Sequence, residues 1–193
     1  MEIFVLAAIS RGGLDTLYAL QQTVGLQPGG LLPIIKRLLD NGVITRSEAA
    51  ARRRKAMKLT DKGEEYLNAG WKLCLKPHHD LDSILRSTTV ALFMDDLRSA
   101  WSYLLWVASD RDREFTHPVP RLDAPEASPL EFYADMKTVY DIERRATEAA
   151  VLRKFAAGLE EVIRKRDDND SVAVKELNGT SRNRGKSEDA KEK

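Results

Sequence analysis

Four adjacent cations, Arg52, Arg53, Arg54 and Lys55, sit inside the stretch RSEAAARRRKAMKLT that runs from Arg46 to Thr60. Such a run can contact a polyanion, and each phosphate it neutralises steepens the salt dependence by about 0.9 in log-log slope. The other reading is a solvated turn, and position decides between the two. A second set lies in LQPGGLLPIIKRLLDNG. There Leu31, Ile34, Ile35 and Leu38 form one helical face, and Gln27, Leu32, Lys36 and Arg37 fall away from it. Gln27 suits an adenine edge, Lys36 and Arg37 a guanine edge or a phosphate, and Leu32 a thymine methyl. The same residues equally suit a helix that is merely solubilised by Lys36 and Arg37 and docks Leu32 and Leu39 on a protein.

Nothing else has the spacing of a reaction centre. There is no nucleophile elbow, no glycine-rich phosphate loop and no carboxylate pair in a catalytic setting. Pro28-Gly29-Gly30 reads as a helix start because no strand feeds it. An enzyme is not expected, and no cofactor is called for. His78, His79, Asp80 and Asp82 are metal-ligating types, but adjacent histidines diverge on a helix and no second cluster completes the set, so no metal site is expected. His117 precedes a proline and reads as surface. Trp71, Trp101 and Trp106, with Phe93 and Met94, could stack on a planar effector in a dimer groove; at helical spacing they equally suit core and dimer packing.

The formal net charge is +1, but it is unevenly spread: residues 1–62 hold ten Lys/Arg against five Asp/Glu, and residues 63–193 hold 21 against 25. A basic front thus precedes a mildly acidic back. The single cysteine, Cys74, cannot form an internal disulfide and reads as a small core residue. Glu2 and the Arg11–Gly13 break interrupt the apolar start, so no signal peptide is read and a reducing cytoplasm is expected. No apolar run reaches the roughly 18 residues of a membrane span. The stretch 90–108 comes closest, but it contains Asp95, Asp96 and Arg98 and reads as a soluble amphipathic helix.

The elements that must position these residues follow from period and punctuation. EIFVLAAIS reads as a helix, and so does LDTLYALQQTVG, with Leu14, Leu17, Tyr18 and Gln21 on one stripe and Gly25 as its end. The Leu31 to Leu38 helix begins near Pro28 to Gly30, takes Pro33 in its first turn and stops at Asn41-Gly42. VITRS and AMKLT read as strands around the turn EAAARRRK, and Thr60 caps the helix DKGEEYLNAGWKLCL. Beyond Pro77 a stripe through Leu81, Ile84, Leu85, Phe93, Leu97, Trp101, Leu104 and Leu105 is expected to bend or break at Thr88-Thr89-Val90. The proline-rich HPVPRLDAPEASP is a connector. Ser128-Pro129-Leu130-Glu131 then opens a long helix whose stripe is Phe132, Met136, Val139, Leu152, Phe155, Leu159 and Val162. On the order of 50 Å long, it cannot bury that stripe on a small domain, so a second copy of the chain is expected against it, assisted by the N-terminal helix.

Three helices, a hairpin and a further helix are the element order of a winged helix-turn-helix domain. Two stretches carry a more specific likeness. QPGGLLPIIKRLLDNGVI has a Pro-Gly opening, a later proline, Lys-Arg-Leu and a glycine before an apolar strand. RRRKAMKLTDKGEEYL has arginines, then Leu-Thr, a glycine two residues after the aspartate, and an aromatic-Leu pair. Over about the first third of the chain, the sequence resembles the PadR-like winged-helix transcriptional regulators. The resemblance implies a DNA-binding repressor that dimerises through C-terminal helices, often relieved by a small molecule or a partner. The chain departs from that pattern at Gly30 and Leu32, where a hydroxyl residue and a tyrosine are usual, and at Ala56 and Met57, where aromatics are usual.

The expected architecture is mainly α. Residues 1–76 form a winged helix-turn-helix domain, 77–127 a helix and connector, 128–167 a dimerisation helix and 168–193 a disordered tail. Gln27, Gly30, Leu32, Lys36 and Arg37 would face the major groove of double-stranded DNA, with Arg52 to Lys55 as the wing on its backbone. A homodimer would hold two such domains roughly 34 Å apart, and repression is the expected outcome. The rival is a winged-helix protein-interaction module, docking through the apolar residues of the same face.

Overall fold

The computed structural model describes residues 1–25, 27–48, 55–78, 80–113 and 128–188. Arg52, Arg53, Arg54, His79, His117, most of the proline-rich connector and the last five residues therefore lie outside the described residues. The chain is mainly helical with one small antiparallel hairpin. Its order is α1 (Glu2–Ser10), α2 (Leu17–Val24), α3 (Pro28–Asp40), β1 (Ile44–Glu48), β2 (Lys55–Leu59), α4 (Asp61–Gly70) running into a 3₁₀ turn (Trp71–Cys74), α5 (Leu81–Phe93), α6 (Leu97–Arg113) and α7 (Pro129–Glu188).

Helix α1 is the hub. Every residue from Phe4 to Ile9 is buried, because α4, α5, β2 and the 3₁₀ turn all lie against it. Its apolar residues have no polar side to turn outward, so the helix is stable only when enclosed. The enclosing core also takes Leu20, Leu31, Ile35 and Leu38 from α2 and α3, Ile44 and Met57 from the hairpin, and Val90 and Ala91 from α5. Packing therefore runs straight across the domain boundary expected at residue 76. It also leaves α1 little apolar surface for a second copy, contrary to the assisting role expected for it.

The hairpin pairs Ile44 with Leu59 and continues to Glu48 opposite Lys55. The strands thus run one residue further than VITRS and AMKLT suggest, and Lys55 is a strand residue rather than part of the turn. At the foot of the hairpin, Thr60 Oγ1 accepts from the Gly63 amide at 3.1 Å, which is the expected cap of α4. Gly63 is obligatory there: a Cβ would lie 2.2 Å from the Val43 carbonyl oxygen.

Three expectations about helices are corrected. Pro33 stands in the second turn of α3, since the helix begins at Pro28. A proline there removes one intrahelical N–H and crowds the carbonyl four residues back, which at this position belongs to a glycine, Gly29. The stripe between α5 and α6 breaks at Asp95 (φ 57°) rather than at Thr88-Thr89-Val90. Thr88 and Thr89 donate their hydroxyls to the carbonyls of Ile84 and Leu85, four residues back, and stay helical. Asp95 takes the left-handed position that ends α5, and Asp96 caps α6 through the Ser99 amide at 2.9 Å. Finally, α7 continues to Glu188 instead of dissolving at Asp168. Lengthening an existing helix needs no new nucleus, so a polar sequence can follow an amphipathic one.

A second, smaller core joins α6 to α7 through Ile84, Tyr103, Leu104, Val107, Leu152 and Ala156. The expected capping box opens α7: Glu131 Oε2 accepts from the Ser128 amide at 2.7 Å, and Ser128 Oγ accepts from the Glu131 amide at 3.3 Å. The bond from the Ser128 amide holds the Glu131 carboxyl below the usual carboxylate range. Among the described residues, no helix is long and apolar enough to cross a membrane.

Candidate nucleic-acid interface

The candidate surface is built by α2, α3 and the hairpin. Thr16 Oγ1 accepts from the Ala19 amide at 3.1 Å and starts α2, and Gly25 (φ 65°, ψ 18°) ends it in the left-handed conformation that reverses the chain toward α3. The backbone carbonyl of Gln27 accepts from the amides of Gly30 and Leu31, both at 3.1 Å. Its side chain makes no capping bond, so the amide group is left at the start of α3.

Helix α3 divides as its period dictates. Leu31, Ile34, Ile35 and Leu38 are buried, while Gln27, Gly30, Leu32, Lys36 and Arg37 are exposed. The five expected recognition residues therefore all stand on the solvent side. Leu39, paired with Leu32 in the sequence reading, instead lies partly buried against the core. Lys36 has no ion-pair partner among the described residues. Arg37 does: its Nε lies 2.5 Å from Glu2 Oε1 on α1, and Glu2 Oε2 accepts from the Tyr66 hydroxyl at 3.4 Å. One of the two cations on α3 is thus already held by a carboxylate of the same chain.

The hairpin is fixed beside these helices by main-chain bonds. The Met57 amide donates to the Asp15 carbonyl at 2.6 Å, and the Thr60 amide to that of Val43 at 3.1 Å. Thr45, Arg46 and Lys58 are exposed on the strands, so positive charge lies on the hairpin even before the Arg52–Arg54 run. Lys62 Nζ donates to the Asn41 carbonyl at 3.0 Å, placing another cation at the C-terminal end of α3, where the helix dipole favours it.

Sequence reasoning missed two residues here. Tyr18 was set on the apolar stripe of α2 but is 69 % exposed, because Leu17 and Leu20 are the inward residues. A three-residue step from the capped first turn would have found this. Glu2 looked like the polar interruption of an apolar start; only the fold brings it to Arg37.

The other candidate groups disperse. Trp71 belongs to the first core, Trp101 packs on the second, and Trp106 is 41 % exposed, tilted at 40° to Tyr103 with ring centroids 6.0 Å apart. Among the described residues the three indoles line three neighbouring cavities within the chain. His78 Nε2 lies 3.2 Å from both the Cys74 carbonyl and Ser87 Oγ. Cys74 is half-buried rather than in the core, and burial pushes its thiol pKa up. Burial likewise raises the Tyr103 phenol to about 12, its hydroxyl donating to the Lys76 carbonyl at 3.0 Å.

The dimerisation stripe splits as well. Leu152 is fully buried and Leu159 partly so, both within the chain, whereas Phe132, Met136, Phe155 and Val162 are exposed and Val139 is half-buried. At about 100° per residue, Phe155 and Val162 face a different side from Phe132 and Met136. The exposed apolar surface is densest at the start of α7, where Leu130, Tyr133 and Tyr140 join Phe132 and Met136.

No protein-family model matches the chain, and no curated protein matches it.

Proposed function

We propose that the chain is a winged-helix DNA-binding regulator that acts as a homodimer in the cytoplasm, laying α3 in the major groove and the basic hairpin tip on the phosphate backbone. The observation that supports this reading best is the solvent face of α3. Gln27, Lys36 and Arg37 are exposed on one helix that follows a glycine-reversed turn from α2, and they stand beside a hairpin that leads into four consecutive cations. Hydrogen-bonding side chains on a rigid helix give base contact, and hairpin cations give register and affinity. The second copy would seat on the Phe132–Met136 end of α7. Occupying a promoter would exclude polymerase, so repression is the expected output.

A second reading has its own support. Leu32 of α3 is 47 % exposed and Tyr18 of α2 69 %, apolar and aromatic side chains that suit a protein partner as well as a thymine methyl. Fluorescence anisotropy separates the two readings. The duplexes are one from the region upstream of the protein's own gene and a scrambled control, titrated across a salt series. The regulator reading expects preference for the first duplex. Arg52→Ala/Arg53→Ala/Arg54→Ala should flatten the salt slope by about two to three units, and Lys36→Ala should weaken binding by about tenfold. No binding at low salt by any of these proteins sinks it and leaves Tyr18 and Leu32 as the bait for a protein partner.

A further inference from the structure

The two cations on the solvent face of α3 are mounted differently. Lys36 is exposed and has no ion-pair partner among the described residues, whereas Arg37 is held from outside its own helix. Its Nε lies 2.5 Å from Glu2 Oε1, yet its side chain is still 61 % exposed. The closest approach is at the guanidinium nitrogen joined to the aliphatic stem, and the side chain keeps most of its surface toward solvent.

Glu2 is itself fixed on two sides. It stands in the first turn of α1, where the helix dipole favours a carboxylate, and Phe4 to Ile9 behind it are all buried. Its second oxygen, Oε2, accepts from the Tyr66 hydroxyl of α4 at 3.4 Å. Helices α1 and α4 are close together at this point, since a Cβ on Gly70 would lie 2.9 Å from Ile3 Cδ1. Each carboxylate oxygen thus has one partner, and the group is carried by the helix at the hub of the core.

The space ahead of Arg37 is open. Side chains on a helix lean toward its N-terminus, and one and two turns in that direction the same stripe holds Pro33 and Gly30. A Cβ at Gly30 would meet nothing within 4 Å. Neither residue has a side chain that competes for a base edge.

An exposed ion pair is weak, so Glu2 does not keep Arg37 from DNA. It chooses the geometry instead. An arginine side chain loses rotamer freedom on binding unless its guanidinium is already oriented. With Nε against Glu2, the Nη edge is left to make the two parallel bonds that match guanine. The Glu2 charge also disfavours a phosphate beside it, which is discrimination by repulsion. We propose that Glu2, steadied by Tyr66, is a positioning residue for Arg37 that directs the guanidinium to a guanine in the major groove and away from the backbone. This role rests on the DNA-binding reading above and adds the base that Arg37 selects.

The test compares the full chain with Glu2→Ala, Glu2→Gln and Arg37→Ala on duplexes selected from a randomised library and on a scrambled control. Wild type should select a guanine whose replacement by adenine weakens binding about tenfold, and Arg37→Ala should lose that preference. Glu2→Ala should cut it to less than about threefold. The same variant should bind the scrambled duplex more tightly, with a salt slope steeper by about 0.9, because a freed Arg37 takes one more phosphate. Glu2→Gln keeps an oxygen acceptor beside Nε and should retain most of the guanine preference. A side chain that merely supported the fold would weaken both duplexes alike. An unchanged preference and slope in Glu2→Ala therefore overturns the proposal.

Without DNA, the Arg37 Nε–H resonance, assigned by its loss in Arg37→Lys, should exchange with water more slowly in wild type than in Glu2→Ala. Equal exchange would mean that Glu2 does not hold Arg37 in solution, and the positioning would fall. Slower exchange with no DNA binding by any of these proteins overturns the role through the DNA reading alone and leaves the pairing standing.

Discussion

In α1 six consecutive residues, Phe4 to Ile9, are buried, whereas in α7 Phe132, Met136, Phe155 and Val162 remain 42 to 49 % exposed. Neither helix has a single clean apolar stripe, so sequence pattern alone does not separate them. Length does. Helix α1 has nine residues, about 14 Å of helix, and α4, α5 and the hairpin can wrap it. Helix α7 has 60 residues, about 90 Å, and among the described residues its fully buried apolar side chains are those of the middle, Ala149, Leu152 and Ala156. A short apolar helix is completed by its own chain, and a long one carries apolar residues past the surface able to cover them.

The largest expected effect tests that contrast directly. Leu6→Ala should destabilise the protein by about 2–5 kcal/mol, because Leu6 is fully enclosed and a cavity would remain. Phe132→Ala should cost under about 0.5 kcal/mol in urea unfolding at concentrations too low for association. Similar losses would mean that the start of α7 is covered within the chain, and the contrast would fall.

Self-association is the next measurement. If the proposed homodimer forms through the start of α7, Phe132→Ser/Met136→Ser should weaken it on the order of a hundredfold in sedimentation equilibrium. Phe155→Ser/Val162→Ser, on the other side of the helix, should do much less. A larger effect from the second pair would move the interface to the middle of α7.

The same substitution made in the two regions should then act with opposite sign. Gly63→Ala forces a Cβ to 2.2 Å from the Val43 carbonyl, backbone against backbone at the point where α4 closes around the core. A loss of about 1–3 kcal/mol is expected in chemical denaturation. Gly158 lies in α7 with nothing within 4 Å of its would-be Cβ, so Gly158→Ala should raise stability by about 0.5–1 kcal/mol through helix propensity.

Much of the fold was legible because it rests on local signals. The Thr60 cap, the Ser128–Glu131 box, the Gly25 stop and the buried face of α3 are each set by residues within one or two turns. The solvent face of α3 followed as the complement of that buried face. What the sequence hid depends on contacts between distant segments. Glu2 reaches Arg37 across 35 positions, Leu152 is buried because α6 lies beneath it, and α1 is a hub only because α5 returns to it. The break at Asp95 was misplaced for a different reason: β-branching at Thr88-Thr89-Val90 is a weak local preference. The hydroxyls satisfied it by bonding four residues back.

The smallest effect concerns the latch that holds the far part of α7 to the α5–α6 corner. Arg166 Nη1 and Nη2 donate to Asp95 Oδ1 and Oδ2 at 2.8 and 3.0 Å, and Arg98 pairs with Asp167 at 2.7 Å. Hydrogen bonds and charge from Arg166 hold the Asp95 carboxyl below the usual carboxylate range. The folded protein therefore takes up this proton at lower pH than the unfolded chain does. The latch's contribution is fully present above the unfolded value of about 3.9 and is lost as pH falls through the lower folded value. Asp95→Asn tolerates the same left-handed backbone, so it removes the charge without disturbing the corner. Urea midpoints should show a small deficit for Asp95→Asn at neutral pH that starts to shrink below about pH 4 and is gone once the pH lies below the lower folded value. A deficit that persists into acid would locate the value of Asp95 in its backbone position, and α7 would then be held at this end by Arg98–Asp167 and the apolar contacts below it.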